Sequence, residues 1–143
     1  MYITTYIYIH GVTIRSSTTE AARVAVVQAG AVPYFSHRYI VDELGKNDVA
    51  IAKSQDRGDP WHPGHSKWDP AWSFGTLQPD LTEEVWFTRD FDVGNLPRWG
   101  YRPISAAMWV RENSHEVAVE RIRELAAWEH SHDAERVEWA RER

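Results

Sequence analysis

Ser16–Gly30, "SSTTEAARVAVVQAG", decides how the first third of the chain is read. Ser17 and Glu20 stand at capping-box spacing, and Gly30 is placed where a helix would stop. The spacing predicts a helix of about three turns between them. Upstream, Tyr2–His10 alternates: Ile3, Ile7 and Ile9 point one way, and Tyr2, Tyr6, Tyr8 and His10 the other. That is the period of a strand. Downstream, "VPYFSHRYIV" predicts a strand from Tyr34 to Val41. Strand, helix and strand in this order imply a βαβ unit. After the turn "LGKND", the run Val49–Lys53 predicts a third strand. A helix across Val41–Ser54 competes with it, and Gly45 argues against that helix.

From Ser54 to Pro103 the chain changes character, because most of its glycines and prolines fall there. Residues 54–82 read as an irregular Trp/Pro/His-rich loop. "EVWFTRDFDV" reads as a strand with Val85, Phe87, Phe91 and Val93 on one face, although Asp80 and Glu83 could cap a short helix there. "PISAAMWVR" alternates again, with Ile104, Ala106, Met108 and Val110 inward. Asn113 and Glu116 repeat the capping-box pattern, so a helix is expected from Ser114 onward. Its apolar stripe is Val119, Ile122, Leu125, Ala126 and Trp128. Residues 129–143 form a charged helical tail. These elements predict one domain over residues 1–143 with an α+β fold. Its mixed sheet has four or five strands, with two helices on one face and the long Trp/Pro-rich loop. A ferredoxin-like or small Rossmann-like α/β arrangement would also suit the order.

Composition narrows the function. The chain has 143 residues, enough for a real core, and a net charge of −5, which argues against a general nucleic-acid surface. With no cysteine, disulfides, thiolate metal sites and cysteine nucleophiles are excluded. The first segment does not read as a signal peptide and no apolar run approaches a membrane span, so a cytoplasmic location is expected, or the host cytoplasm for a viral gene. No G-x-S-x-G elbow, P-loop or G-x-G-x-x-G is present. His62 with His65, and His130 with His132 beside Asp133, fall short of a complete ligand set, so neither a metal nor a cofactor is expected.

Eight tryptophans are unusual for this length. Trp86, Trp109 and Trp128 lie in periodic segments and read as core. Trp61, Trp68 and Trp72 lie with His62 and His65 in "DPWHPGHSKWDPAW", Asp59–Trp72, at no regular period. Pro60, Pro63 and Pro70 restrict that backbone and lower the entropy lost on binding. Trp61, His62, His65, Trp68 and Trp72 are therefore candidate ligand- or partner-binding residues, and a lid folded on the sheet is the competing reading.

Three stretches, "IYIHG" (Ile7–Gly11), "AGAVPYFSH" (Ala29–His37) and "MWVRENSHEVAVE" (Met108–Glu120), resemble nucleoside 2-deoxyribosyltransferase-like proteins. The resemblance implies a small-residue loop at Gly11, Ser114 holding the phosphate or sugar end, and Glu120 as nucleophile. A carboxylate attacking an anomeric carbon can trap an oxocarbenium-like centre covalently. Three functions follow. The leading one is a non-catalytic interaction or assembly protein, bound to another protein or to itself through the loop and the charged helix. The others are a nucleoside- or nucleotide-processing N-glycosidase or deoxyribosyltransferase-like enzyme, and a sugar- or small-ligand-binding module.

Overall fold

The computed structural model describes residues 2–57, 64–83, 85, 93–105 and 107–131, with side chains from residue 8 onward except at 93 and 128–131. Its first element is a helix, α1, spanning Tyr2–Ser17, where the alternation predicted a strand over Tyr2–His10. The described buried positions of α1 are His10, Gly11, Thr13, Ile14 and Ser17. They recur at three- and four-residue steps, as one helix face requires. Polar and small residues carry that period, so a pattern of apolar residues does not reveal it. Ser17 closes α1 instead of capping a helix that follows.

The helix expected from Ser17 to Gly30 is instead the central strand. β1, Arg23–Val26, pairs in parallel with β2, Tyr39–Asp42, and in parallel with β3, Leu81–Thr82. Val24, Ala25 and Val26 are all buried. A strand covered on both faces is continuously apolar and shows no alternation, so its sequence does not separate strand from helix. Gly30 precedes α2, Ala31–Ser36. The strand expected from Tyr34 to Val41 keeps only its second half, as β2. A βαβ unit is present, one element later than predicted.

The third strand expected at Val49–Lys53 is a short helix, α3, Val49–Ala52. The Ile51 N–H donates to Asp48 Oδ1 at 3.0 Å and caps it. Gly45 has φ +71, and a methyl group there would lie 2.7 Å from the Ala52 nitrogen. The helix therefore does not reach back to Val41.

The single strand expected across Pro103–Arg111 turns back on itself. β4, Tyr101–Pro103, pairs antiparallel with β5, Trp109–Arg111. In the turn the Met108 N–H donates to Ser105 Oγ at 3.1 Å. Ile104, Met108 and Val110 do face the core, while Ala106 lies outside the described residues. β5 pairs antiparallel with β3, giving the sheet order β2-β1-β3-β5-β4. The last helix, α4, spans Val119–Ser131 and begins later than Ser114. Val117 bridges to Thr18, and the Ala118 N–H donates to Ser17 O at 2.8 Å. Those bonds hold the preceding segment extended. Most of the strand expected over residues 84–93 lies outside the described residues, but its last residue, Val93, begins a 3-10 helix instead, and the tail from 132 lies outside them as well.

The fold is α+β with a mixed five-strand sheet. On one face Val24, Val26, Leu81 and Val110 pack with Ile14 of α1, Val32 of α2 and Ile122 of α4. Of the two helices expected there only the carboxyl-terminal one, α4, is found, and α1 and α2 stand in place of the other. α1 and α2 approach closely at Gly11, where a methyl group would lie 2.5 Å from Phe35 Cβ. On the other face Ala25, Val41 and Tyr101 pack with Phe74 and Leu96, and Trp99 and Trp109 lie against that cluster. Phe74 belongs to a π-helical turn, Ala71–Thr76, and Leu96 to a 3-10 helix, Val93–Trp99. Burial of a side chain like Phe74 contributes about 2–3 kcal/mol. The irregular middle of the chain thus covers the second face. No described helix is long and apolar enough to cross a membrane.

Candidate functional site: a cavity at the carboxyl end of the central strand

β1 has parallel neighbours on both sides, reached by connections that leave in opposite directions. In open α/β sheets ligands bind outside the carboxyl ends of the strands. Here the chain after β1 runs Val27, Gln28, Ala29, Gly30 into α2. The turn after β2 is fixed beside it. Asp42 accepts from the Leu44 N–H at 2.9 Å and from the Asn47 N–H at 2.5 Å. Asn47 Nδ2 donates to Ala29 O at 3.3 Å, tying the two turns together. Between them lies a cavity of about 450 Å³ lined by residues 27–31, Lys46 and His65.

The Trp/His loop is built onto this end of the sheet. Trp68 is 7% exposed and clusters with Val27 and Leu44, the residues that follow β1 and β2. Its indole Nε1 is buried without a hydrogen-bond partner. Arg57 lies 5.5 Å over the Trp68 ring, and its N–H donates to Ser66 O at 2.7 Å. Lys67 Nζ donates to Ala52 O at 2.5 Å. Trp72 Nε1 donates to Asp48 Oδ2 at 3.1 Å, so Asp48 caps α3 and holds a loop tryptophan at once. His65 therefore lines the cavity, and Trp68 packs on Val27, another of its lining residues. Trp61 and His62 lie outside the described residues.

The other candidates lie apart from the cavity. Gly11 is buried in α1 against α2. Ser114 Oγ donates to Asp80 Oδ1 at 2.8 Å, beside the amino ends of β1 and β3. The Glu120 side chain is 78% exposed and pairs with Arg123 at 2.6 Å. The structure does not bring Ser114 and Glu120 together with Gly11. His132 and Asp133, and the side chain of His130, lie outside what is described.

Two polar clusters escaped the sequence reading. At the carboxyl end of β3, Glu83 Oε1 is 2.5 Å from His10 Nδ1, both side chains being buried. Thr82 Oγ1 donates to Glu43 Oε1 at 3.3 Å nearby. At the opposite end, the Arg23 N–H donates to Asp80 Oδ2 at 3.0 Å and Arg111 donates to Asp80 Oδ1 at 2.6 Å. Burial pushes the Asp80 carboxyl up, but the hydrogen bonds from Arg23, Arg111 and Ser114 and the Arg111 charge outweigh it. The net result is a pKa below the usual 3.8. Burial pushes the Tyr101 phenol up, and its hydroxyl donates to Pro79 O at 2.7 Å. None of these partners is near in sequence, so no local motif marks them. Lys46 and Gln28 were missed for the same reason.

Residues 6–119 match the model of a domain of unknown function, DUF8728. The chain belongs to the DUF8728 family. No curated protein and no solved structure matches it. The DUF8728 match starts within α1 and ends at the first residue of α4. It therefore takes in all five strands and every lining residue of the cavity.

Proposed function

We propose that this domain is a non-catalytic binding module that holds a small polar ligand over the carboxyl end of β1, with the Trp/His loop as one wall. One arrangement carries the reading: Gln28, Lys46 and His65 converge with the β1–α2 turn on a single cavity. Its volume, about 450 Å³, is within the range of small-molecule pockets. The described lining offers an ammonium, an imidazole and an amide, groups that orient a polar ligand.

Gly30 gives a direct test. It lines the cavity, has φ −98, and a Cβ there meets no atom within 4 Å. Gly30→Trp is therefore expected to fill the cavity at a stability cost below about 1 kcal/mol. Titration calorimetry with a panel of monosaccharides, nucleosides and amino acids should find a ligand for the wild type and at least a tenfold loss in the variant. The proposal fails if no panel member binds, or if Gly30→Trp binds as the wild type does.

A protein contact surface is the second reading, supported by aromatic side chains left exposed on α1 and α2. Tyr8 is 49% and Tyr34 74% exposed. Both meet the Phe35 ring edge-on, at 4.9 and 5.1 Å. Aromatic groups of this kind are enriched in interface hot spots. If the surface joins two copies, sedimentation should show concentration-dependent dimers that Tyr8→Ser with Tyr34→Ser abolishes. A monomer at all concentrations would rule out that self-association.

A further inference from the structure

A second cavity, of about 320 Å³, lies between Arg57, Asp69–Ala71, Asn95, Arg98 and Trp99. We infer that it binds a small oxyanion, a carboxylate or phosphate group, clamped between the Arg57 and Arg98 guanidinium groups.

Acidic residues outnumber lysine and arginine by 21 to 16, so acid partners are plentiful for any arginine. Yet among the described residues neither Arg57 nor Arg98 makes an ion pair or a side-chain hydrogen bond. Two unpaired guanidinium groups lining one concave space present the planar donor forks that match carboxylate and phosphate oxygens. Asp69 is the acid of the lining. Its Oδ1 accepts from the Trp72 N–H at 3.0 Å, which turns it toward the start of the π-helical segment.

The walls are fixed by independent packing. Arg57 is placed over the Trp68 ring and by its bond to Ser66. Asn95 and Arg98 are three apart on a 3-10 helix, where such positions eclipse one another, so amide and guanidinium share one edge. The Trp99 ring stacks on Phe74 at 6.2 Å. It also sits against Gly75, where a methyl group would lie 2.9 Å from its indole nitrogen. The π-helical turn that supplies Pro70 and Ala71 to the rim ends with the Leu77 N–H donating to Trp72 O at 2.9 Å. Such turns are uncommon and recur at functional sites.

The experiment is titration of the full chain with inorganic phosphate and, separately, acetate, followed by calorimetry and amide chemical shifts. One equivalent of at least one anion is expected to bind, the two arms deciding which oxyanion is preferred. Arg57→Ala and Arg98→Ala should each weaken it roughly tenfold, the loss of about one charge-assisted hydrogen bond. Arg98→Lys keeps the charge without the fork and should recover only part of the affinity. Gly30→Trp should bind the anion as the wild type does, which separates this site from the cavity at β1. Circular dichroism checks that each variant is folded. The inference is overturned if neither anion binds, if the alanine variants bind unchanged, if lysine restores full affinity, or if Gly30→Trp removes binding.

Discussion

Trp68→Ala is expected to lower the unfolding free energy by about 3–5 kcal/mol, the usual range for truncating a buried aromatic side chain. For a domain of this length that corresponds to a melting temperature lower by roughly 10–15 °C. The reason is position. Trp68 is buried against Val27 and Leu44, so its loss opens a void where the loop covers the ends of β1 and β2. Its indole N–H adds no stability, because it is buried without a partner. Trp68→Phe removes that unpaired donor and keeps most of the apolar contact. It should therefore cost under about 1 kcal/mol. Urea unfolding of the two variants measures both numbers. Equal losses in the two would mean that the indole N–H is bonded after all, and silence in both would mean that the loop is not anchored by Trp68.

Asp80→Ala is expected to cost about 3–4 kcal/mol, since it strips a buried carboxylate from three donors and leaves them unsatisfied. Those donors are the Arg23 N–H, Arg111 and Ser114 Oγ, which tie β1, β5 and the following turn to the start of β3. The same group makes stability depend on acid. Its pKa is lower in the folded chain than the ordinary 3.8. A carboxyl with a depressed folded pKa contributes stability that is fully present above the unfolded value and is lost as pH falls through the folded one. Comparison with Asp80→Asn isolates the effect. The stability gap between wild type and Asp80→Asn should be constant from pH 7 to 5 and shrink steadily below about pH 4. A gap that stays constant down to pH 2 would show that the network does not act through the ionised carboxylate.

These two residues also mark where the sequence could be read and where it could not. Trp68 and His65 stand out locally, because tryptophan, proline and histidine crowd one short stretch. Their composition points to a site, but whether the loop lies on its own sheet depends on Val27 and Leu44, distant in sequence. Asp80 carries no local signal, since its partners come from residues 23, 111 and 114. The same holds for Lys46 beside the first cavity and for Arg57 and Arg98 in the second. The α+β class was legible from Val110, which lies in β5, and from the stripe through Ile122 in α4, although the alternation from Ile104 to Met108 turned out to be a hairpin turn. The amino-terminal elements were not. α1 buries His10, Thr13 and Ser17, which an apolar pattern ignores. β1 is buried on both faces, which erases alternation. Each error displaced its neighbour, so the βαβ unit was expected one element too early.

The sheet order places β4 at one edge, and that strand ends in Pro103. Proline offers no N–H to an incoming strand, and Arg102 before it is an exposed charge. An edge so short, charged and donor-poor is a weak template for cross-β pairing. Aggregation by strand addition is thereby blunted on the β4 side, which leaves β2, with Tyr39 exposed at its start, as the more open end of the sheet.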